Sequence, residues 1–404
     1  MNGPDGQVFP FTVPSNATRQ HPNTTFDFSP FLPLDGNAEV AFWHTNRLPY
    51  AEHLDFSVER QLGADTILSM GYVGTMAHKL IVYVNYNPGD QNLCLFLNNP
   101  ANLAPGSNVC GPNNENSGPF VLAPGVSAPG YPGITSFSTS RLLAGLNNAN
   151  DVVAPFGRNA AEKTMGNSAY HSFQTTLRHT SKNAEFLLGY TYGKCLDNSS
   201  GLEDSVNPYN PRKSRGLCLF DVQHHFVGSY SARLPFDQLF HATSGWSNRI
   251  AAGWQITGIT TFATGLPIGL SERNDPSLAG SSGTDVPNFT PGNLLNGTNP
   301  RDGKTYFNTS LFSKEALGQI GNSSRRFFHG PGLNNWDLAL VKDTRITESK
   351  ALQFRVETFN TWNHAQFQNP SGSINSSTFG VVTATQSHEG ANARVMQLGA
   401  KLTF

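Results

Sequence analysis

Residues 393–404 read A-R-V-M-Q-L-G-A-K-L-T-F. Met396, Leu398, Ala400, Leu402 and Phe404 are apolar and fall on every second position. Val395, Gln397, Gly399, Lys401 and Thr403 lie between them, and all but Val395 are polar or lack a side chain. A strand sends alternate side chains to opposite faces, so this segment has one greasy face and one mostly polar face. A strand set between lipid and a wet lumen, with an aromatic residue at the interface, requires this arrangement. A soluble sheet gains little from an apolar face that runs out to Phe404.

The same alternation recurs toward the amino-terminus. Leu54, Phe56 and Val58 alternate with Asp55, Ser57 and Glu59, and Phe186, Leu188, Tyr190 and Tyr192 share a face. Phe226, Tyr230, Ala232 and Leu234 oppose His225, Ser229, Ser231 and Arg233; Leu352, Phe354 and Val356 oppose Gln353, Arg355 and Glu357. Nine strands are predicted, at 52–62, 66–84, 169–179, 184–193, 222–234, 253–270, 336–345, 352–359 and 393–404. Their connections alternate in length. Those at 63–65, 180–183, 235–252 and 346–349 are short, whereas 85–168, 194–221, 272–335 and 361–392 are long. Membrane barrels have short periplasmic turns and long extracellular loops, so the pattern puts Phe404 at the periplasmic end and every long loop outside. A β-sandwich has short connections at both ends.

Aromatic residues fit the same geometry. Tyr192, Trp336, Phe359 and Trp362 fall at predicted outer ends, and Phe236, Trp254 and Phe404 at inner ends, as two interfacial girdles. Arg60 and Lys342 interrupt apolar faces near the inner ends, where long cationic side chains are expected to snorkel.

Composition agrees. Of 404 residues, 38% are apolar and only 14% charged, and 39 Gly with 26 Pro point to long loops. A net charge of −1 gives no nucleic-acid footprint. No apolar run reaches the roughly 18 residues of a spanning helix, and the alternation of barrel strands is invisible to hydropathy averaging. The opening residues M-N-G-P-D-G-Q-V-F-P carry no basic or apolar segment of a signal peptide. Cys94 lies near Cys110 and Cys195 near Cys218, in Gly/Asn/Pro-rich stretches and without C-x-x-C spacing. Local loop-stapling disulfides of an oxidising compartment fit better than zinc ligation.

Longer strings carry a resemblance. Y-T-Y-G-K at 190–194, N-P-Y-N-P-R-K-S-R-G at 207–216 and F-D-V-Q-H-H-F-V-G-S-Y-S-A-R-L-P-F at 220–236 resemble the carboxy-terminal barrel of TonB-dependent transporters, in particular Oar-like receptors with a carboxypeptidase-regulatory-like amino-terminal domain. G-W-Q-I-T-G at 253–258 with Thr264-Gly265-Leu266-Pro267, F-R-V-E-T-F-N-T-W-N-H-A-Q-F-Q-N-P at 354–370 and the terminal strand are similar to that group as well. The resemblance implies an all-β antiparallel transmembrane barrel in a Gram-negative outer membrane, with about nine strands here out of roughly 22 around a plugged lumen. It implies ligand capture by outer loops and energy-coupled uptake. Residues 1–49 are then an extracellular loop remnant and 50–404 the carboxy-terminal part of the barrel. Plug domain and signal peptide are expected to be absent, so the segment alone is expected not to transport. Leu398, Leu402 and Phe404 resemble the signal read by the barrel-assembly machinery. Outer-membrane lipid and that machinery are the expected partners, and the TonB complex engages only through the missing amino-terminal regions. No nucleic acid or cofactor is expected, and the transported ligand is not legible.

Chemistry finds little support. The stretch G-T-N-P-R-D-G-K-T at 297–305 has five residues between its glycines instead of the four of a phosphate loop, and no strand and helix frame it. His224 and His225 are strand neighbours and point to opposite faces. Glu203-Asp204 and Asp275 with Asp285 supply oxygens suited to Ca²⁺, though solvated loop carboxylates explain them more simply. H-E-x-x-H, G-x-S-x-G and G-x-G-x-x-G are all absent. The chain therefore reads as a non-enzyme. The alternative is a secreted all-β carbohydrate-binding or adhesive protein, supported by the sequons at Asn198, Asn288 and Asn322 and by the disulfides. A third possibility is a small barrel of even strand number, closed by pairing of its first and last strands.

Overall fold

The computed structural model describes residues 40–85, 88–112, 119–137, 160–202, 204, 206–242, 245–279, 284–295, 299–386 and 393–404. Nine long strands form one antiparallel meander: β1 Tyr50–Gln61, β2 Thr66–Asn85, β3 Ala160–Thr180, β4 Ala184–Asp197, β5 His224–Leu234, β6 Trp254–Ala263, β7 Leu333–Arg345, β8 Ala351–Phe359 and β9 Val395–Thr403. Each pairs with its sequence neighbours, leaving β1 and β9 as the two edges. A short segment, Val40–Phe42, runs parallel to the start of β3. It falls inside the stretch 1–49 expected to be loop; residues 1–39 lie outside the described residues.

Register sorts the side chains. Phe56 faces Tyr72 across β1–β2, Tyr72 faces Phe173, and Phe173 faces Tyr192. Farther along, Phe226 faces Phe262, Ile256 faces Leu340, Leu340 faces Val356 and Val356 faces Leu398. Directly opposed residues share a face, so one apolar face crosses all nine strands. It is left open, with Phe56 67% and Leu398 77% exposed. The other face carries Ser57, Gln174, Ser231, Gln255, Asp343, Gln353 and Lys401. On it Gln255 Nε2 donates to Ser231 Oγ (2.5 Å) and Gln353 Nε2 to Asp343 Oδ1 (2.9 Å).

A single-layer sheet has no interior, and the buried core lies instead in the long connections. In residues 88–137, helix α1 (Gln91–Asn98) is capped by Asp90, whose Oδ1 accepts from Leu93 N (3.0 Å). Its buried Leu93, Cys94 and Leu97 pack with Cys110, Phe120, Phe137 and Leu278. A second cluster joins Ile268, Leu270, Phe307, Phe312 and Phe328, with Phe379 against it. Phe307 meets Phe312, Phe328 and Phe379 edge-on at 5.1–5.5 Å between ring centres.

Two boundaries and one connection differ most from expectation. β3 starts at Ala160 rather than 169, and its first residues pair with Ile81–Asn85 beyond a bulge at His78–Leu80. Val82, Val84 and Ala161 share one face by register and are buried, and Asn85 Nδ2 donates to Ala279 O, so this part of the strand pair stands among the cap loops rather than between lipid and lumen. β6 ends at Ala263 rather than 270. At Gly265 a Cβ would lie 2.3 Å from the carbonyl oxygens of Gly330 and Pro331, so the chain leaves the sheet through a contact only glycine permits, and Ile268 and Leu270 turn into the second cluster. The connection 235–253 contains two short helices, α2 (Phe236–Leu239) and α3 (Gly245–Ala251).

Candidate functional site

The polar face of the sheet curves around a concavity of about 570 Å³. Arg178, Glu185, Asp337, Arg355 and Glu357 line it from β3, β4, β7 and β8. Strand period two puts Arg355 and Glu357 on one face, where Arg355 Nη2 lies 2.6 Å from Glu357 Oε1. Arg355 is half exposed, so this pair contributes little stability and leaves charge available to a solute.

At the long-loop end the connections fold together into a cap. The segment 198–223 is held to 264–332 by two adjacent arginines. Arg325 pairs with both Asp197 and Asp204, and Arg326 Nη2 lies 2.5 Å from Asp204 Oδ2. Arg326 Nη2 also donates to Ser200 Oγ (2.9 Å) and its Nε to Leu217 O (2.9 Å). Burial opposes ionisation of Asp204, but the bond from Arg326 and the charge of Arg325 prevail and hold its carboxyl well below the ordinary range. Nearby, Asp221 Oδ1 accepts from Cys195 N (2.6 Å) while its Oδ2 meets His329 Nε2 (2.8 Å). The expectation of a solvated Asp204 is therefore corrected: its partners lie 121 and 122 residues away, beyond the reach of local sequence reading. Glu203 lies outside the described residues.

A different cluster lies within 264–332. Glu272, Asp275, Asp285 and Glu315 are all buried. Glu272 N donates to Asp285 O (2.9 Å), and Asp275 Oδ1 accepts from Ser277 Oγ (3.1 Å) and Ala279 N (3.2 Å). Burial above all, with the charge of Asp275 adding, pushes Asp285 up to about 7. Burial and the neighbouring Glu272 push Glu315 up to about 8. Asp275 and Asp285 thus lie together in a buried cluster rather than as solvated loop carboxylates, and Asp285 favours protonation. Among the described residues no group of three His, Cys, Asp or Glu is set to hold a metal ion.

The cysteines pair locally, Cys94 with Cys110 and Cys195 with Cys218, both within the cap. Tyr192 and Trp336 lie on the apolar face at the long-loop end. Around them Tyr72 and Tyr190 hydroxyls meet His171 and His224 Nδ1 at 2.6 and 2.8 Å, and Trp336 stands edge-on to Phe262 (5.7 Å). Trp254 lies on the same face at the short-turn end, beside Phe236. Phe359 is different: it faces Val395, on the face of Arg355 and Glu357, and lines the concavity, so strand parity removes it from the apolar band. Trp362 is exposed just beyond β8. Leu398 and Leu402 extend the apolar face at the edge, and Phe404 is 89% exposed beyond it. The sequon residues serve the cap: Asn198 Oδ1 accepts from Asn167 N, Asn288 Oδ1 from Asn322 N, and Asn322 Oδ1 from Phe289 N. Lys342 does not reach for water. Its ammonium donates to the carbonyl oxygens of Arg249, Ala252 and Asp343.

An antiparallel sheet with one open apolar face, one polar concave face and a folded cap on the long-loop side defines a membrane β-barrel wall. The chain belongs to the outer membrane beta barrel domain family, whose match spans residues 2–397, and its place is the outer membrane of a Gram-negative bacterium. No curated protein matches it in sequence. Among solved structures it is similar to the outer membrane transporter YddB from Escherichia coli, at 11% identity and TM-score 0.43, covering 90% of this chain and 33% of that one. It is also similar to the FrpB iron transporter from Neisseria meningitidis, at 8% identity and TM-score 0.34, covering 90% and 32%. The chain thus spans about a third of the length of these structures. Membership of an outer-membrane family sets aside the secreted adhesive alternative, and β1 and β9 are not paired as a small closed barrel requires.

Proposed function

We propose that residues 50–404 are the carboxy-terminal wall and outer cap of a TonB-dependent receptor of the Oar-like group, in which the cap meets an external ligand and the polar face guides it inward. The observation that carries this reading is the pair of unsatisfied edges. β1 and β9 are exposed along their whole length on both faces, in a sheet already sorted into apolar and polar sides. Barrels close so that no edge remains in lipid, and single-chain bacterial barrels have even strand numbers. Nine strands with two free edges call for further strands between β9 and β1. Residues 1–49 are then an outer loop leading into β1. The cap supports the receptor role, because its disulfides, arginine clamp and two cores give the long-loop side a fixed surface.

Cysteine cross-linking tests the reading in native outer membranes. Single cysteines placed along β1 and β9, such as Ser57→Cys with Gly399→Cys, are expected not to cross-link in any register. Efficient cross-linking would mean that these nine strands close on themselves. Loss of uptake on deleting TonB tests the energy coupling, and TonB-independent passage of solutes would point to a passive pore.

A further inference from the structure

We propose that a groove at the short-turn end of the wall, between α3 and the β7–β8 hairpin, seats an anionic phospholipid of the periplasmic leaflet. The proposal rests on the orientation of the barrel with its short turns on the periplasmic side. The groove encloses about 420 Å³, and Trp246, Ile250, Trp254 and Phe354 form its apolar walls. Trp254 and Phe354 face the strand positions of Lys342, so they belong to the lipid-facing set. The groove is therefore continuous with the surface that lipid already covers.

Two tethers fix α3 against this wall. Trp254 Nε1 donates to Ile250 O (2.7 Å), and Lys342 Nζ donates to Arg249 O (2.9 Å) and Ala252 O. The ammonium of a lysine on the lipid side is thereby solvated by carbonyls at the end of α3. The same tethers leave Trp246 79% and Ile250 66% exposed, with Leu239 65% and Phe240 68% exposed beside them on α2 and just after it. Four large apolar side chains left in water would form a sticky patch, whereas at a bilayer interface they are buried among acyl chains.

Charge selects the headgroup. Arg249 and Arg345 also line the groove, and no acidic residue does. Asp343, next in sequence to Lys342, lies on the luminal face, where it binds Gln353. With Lys342 occupied by carbonyls, the guanidinium group of Arg249 remains to bind a phosphate through paired N–H donors, and Arg345, which shares the strand parity of Asp343, adds its charge from the last position of β7 at the end of the groove. Aromatic walls below a basic rim fit an acyl chain and an anionic headgroup together.

Native mass spectrometry of the protein released from nanodiscs of equal phosphatidylglycerol and phosphatidylethanolamine tests this. The wild type is expected to retain phosphatidylglycerol at least five-fold over phosphatidylethanolamine. Arg249→Ala with Arg345→Ala should lose that preference, while Arg249→Lys with Arg345→Lys keeps most of it. Trp246→Ala should lower retention of both lipids. Equal retention by wild type and the double alanine variant, with all proteins inserted and β-rich by circular dichroism, would overturn the proposal and leave the barrel standing. Failure of the wild type to insert at all would overturn both.

Discussion

The buried acids of 264–332 make the stability of the cap depend on pH in a direction opposite to that of a salt-bridged carboxylate. Asp285 rises from 3.8 to about 7 and Glu315 from 4.5 to about 8 in the folded loop. A raised carboxyl pKa means that the folded loop holds its proton more tightly than the open one. The stability linked to that proton is fully present below about pH 4 and drains away as pH rises to about 8. For Asp285 the change spans about three pH units, and at ~1.4 kcal/mol per unit that is on the order of 4 kcal/mol between acid and alkaline conditions. Asp285→Asn keeps the shape of the protonated acid and cannot ionise. At pH 5 its loop should be more stable than the wild type by only about 1.5 kcal/mol; at pH 9 the difference should grow to roughly 4 kcal/mol. Pulse proteolysis of the micelle-bound protein, scoring cleavage between 284 and 323, reads the opening free energy at each pH. Equal protection of the wild-type loop at pH 5 and pH 9 would refute the burial argument. So would an Asn variant that loses protection with pH in parallel with the wild type.

Arg326→Ala should cost the cap about 3 kcal/mol, because it removes one of the two cations that compensate a largely buried Asp204. The sign with pH is the reverse of Asp285: a depressed carboxyl stabilises above the ordinary carboxylate range and loses its effect only as pH falls through its lowered value. The wild-type clamp should therefore survive pH 4.5, and the variant should open at a higher pH by hydrogen exchange in peptides 197–217. The disulfides predict Cys94–Cys110 and Cys195–Cys218 peptides in a non-reducing digest. Across loops of 16 and 23 residues, removing either bridge should cost about 3 kcal/mol of cap stability, checked by the same proteolysis with and without reductant.

The wall was legible because lipid and lumen impose a two-residue period that no loop imitates. The strands at 66–84, 184–193 and 352–359 fall within a few residues of those observed, and the short–long alternation of connections fixed their direction. The reading fails where environment stops alternating. The extension of β2 and β3 packs among the cap loops, and Ile268 and Leu270 look like a continuing strand because the aromatic cluster that absorbs them is assembled from distant residues. Phe359 shows a finer limit: its place at a strand end was correct, but face depends on parity, and parity puts it with Arg355. The candidate site was the least legible part. Asp204 meets Arg325 and Arg326 only after two long loops have folded together, and the adjacent arginines bear no local mark of that partnership.

These misses share a physical cause. A barrel wall is one layer thick, with its apolar side toward lipid and its polar side toward the lumen, so over most of its length it offers its loops little surface to bury. Loops as long as 264–332 would remain unfolded on such a base unless they built cores of their own. The fully buried Phe120, Phe137, Phe307, Leu93, Leu97, Ile268 and Leu278 all belong to the long connections, and the Cys94–Cys110 disulfide lies among them. The cap is in effect a small soluble domain assembled from non-contiguous pieces, and it obeys the ordinary rule of apolar inside and polar outside. The wall obeys the inverse rule on its outer face. A reading tuned to the wall sees Gly, Pro and Asn in the long connections and calls them loop, because the cap's core is spread one or two residues at a time across segments that meet only in three dimensions.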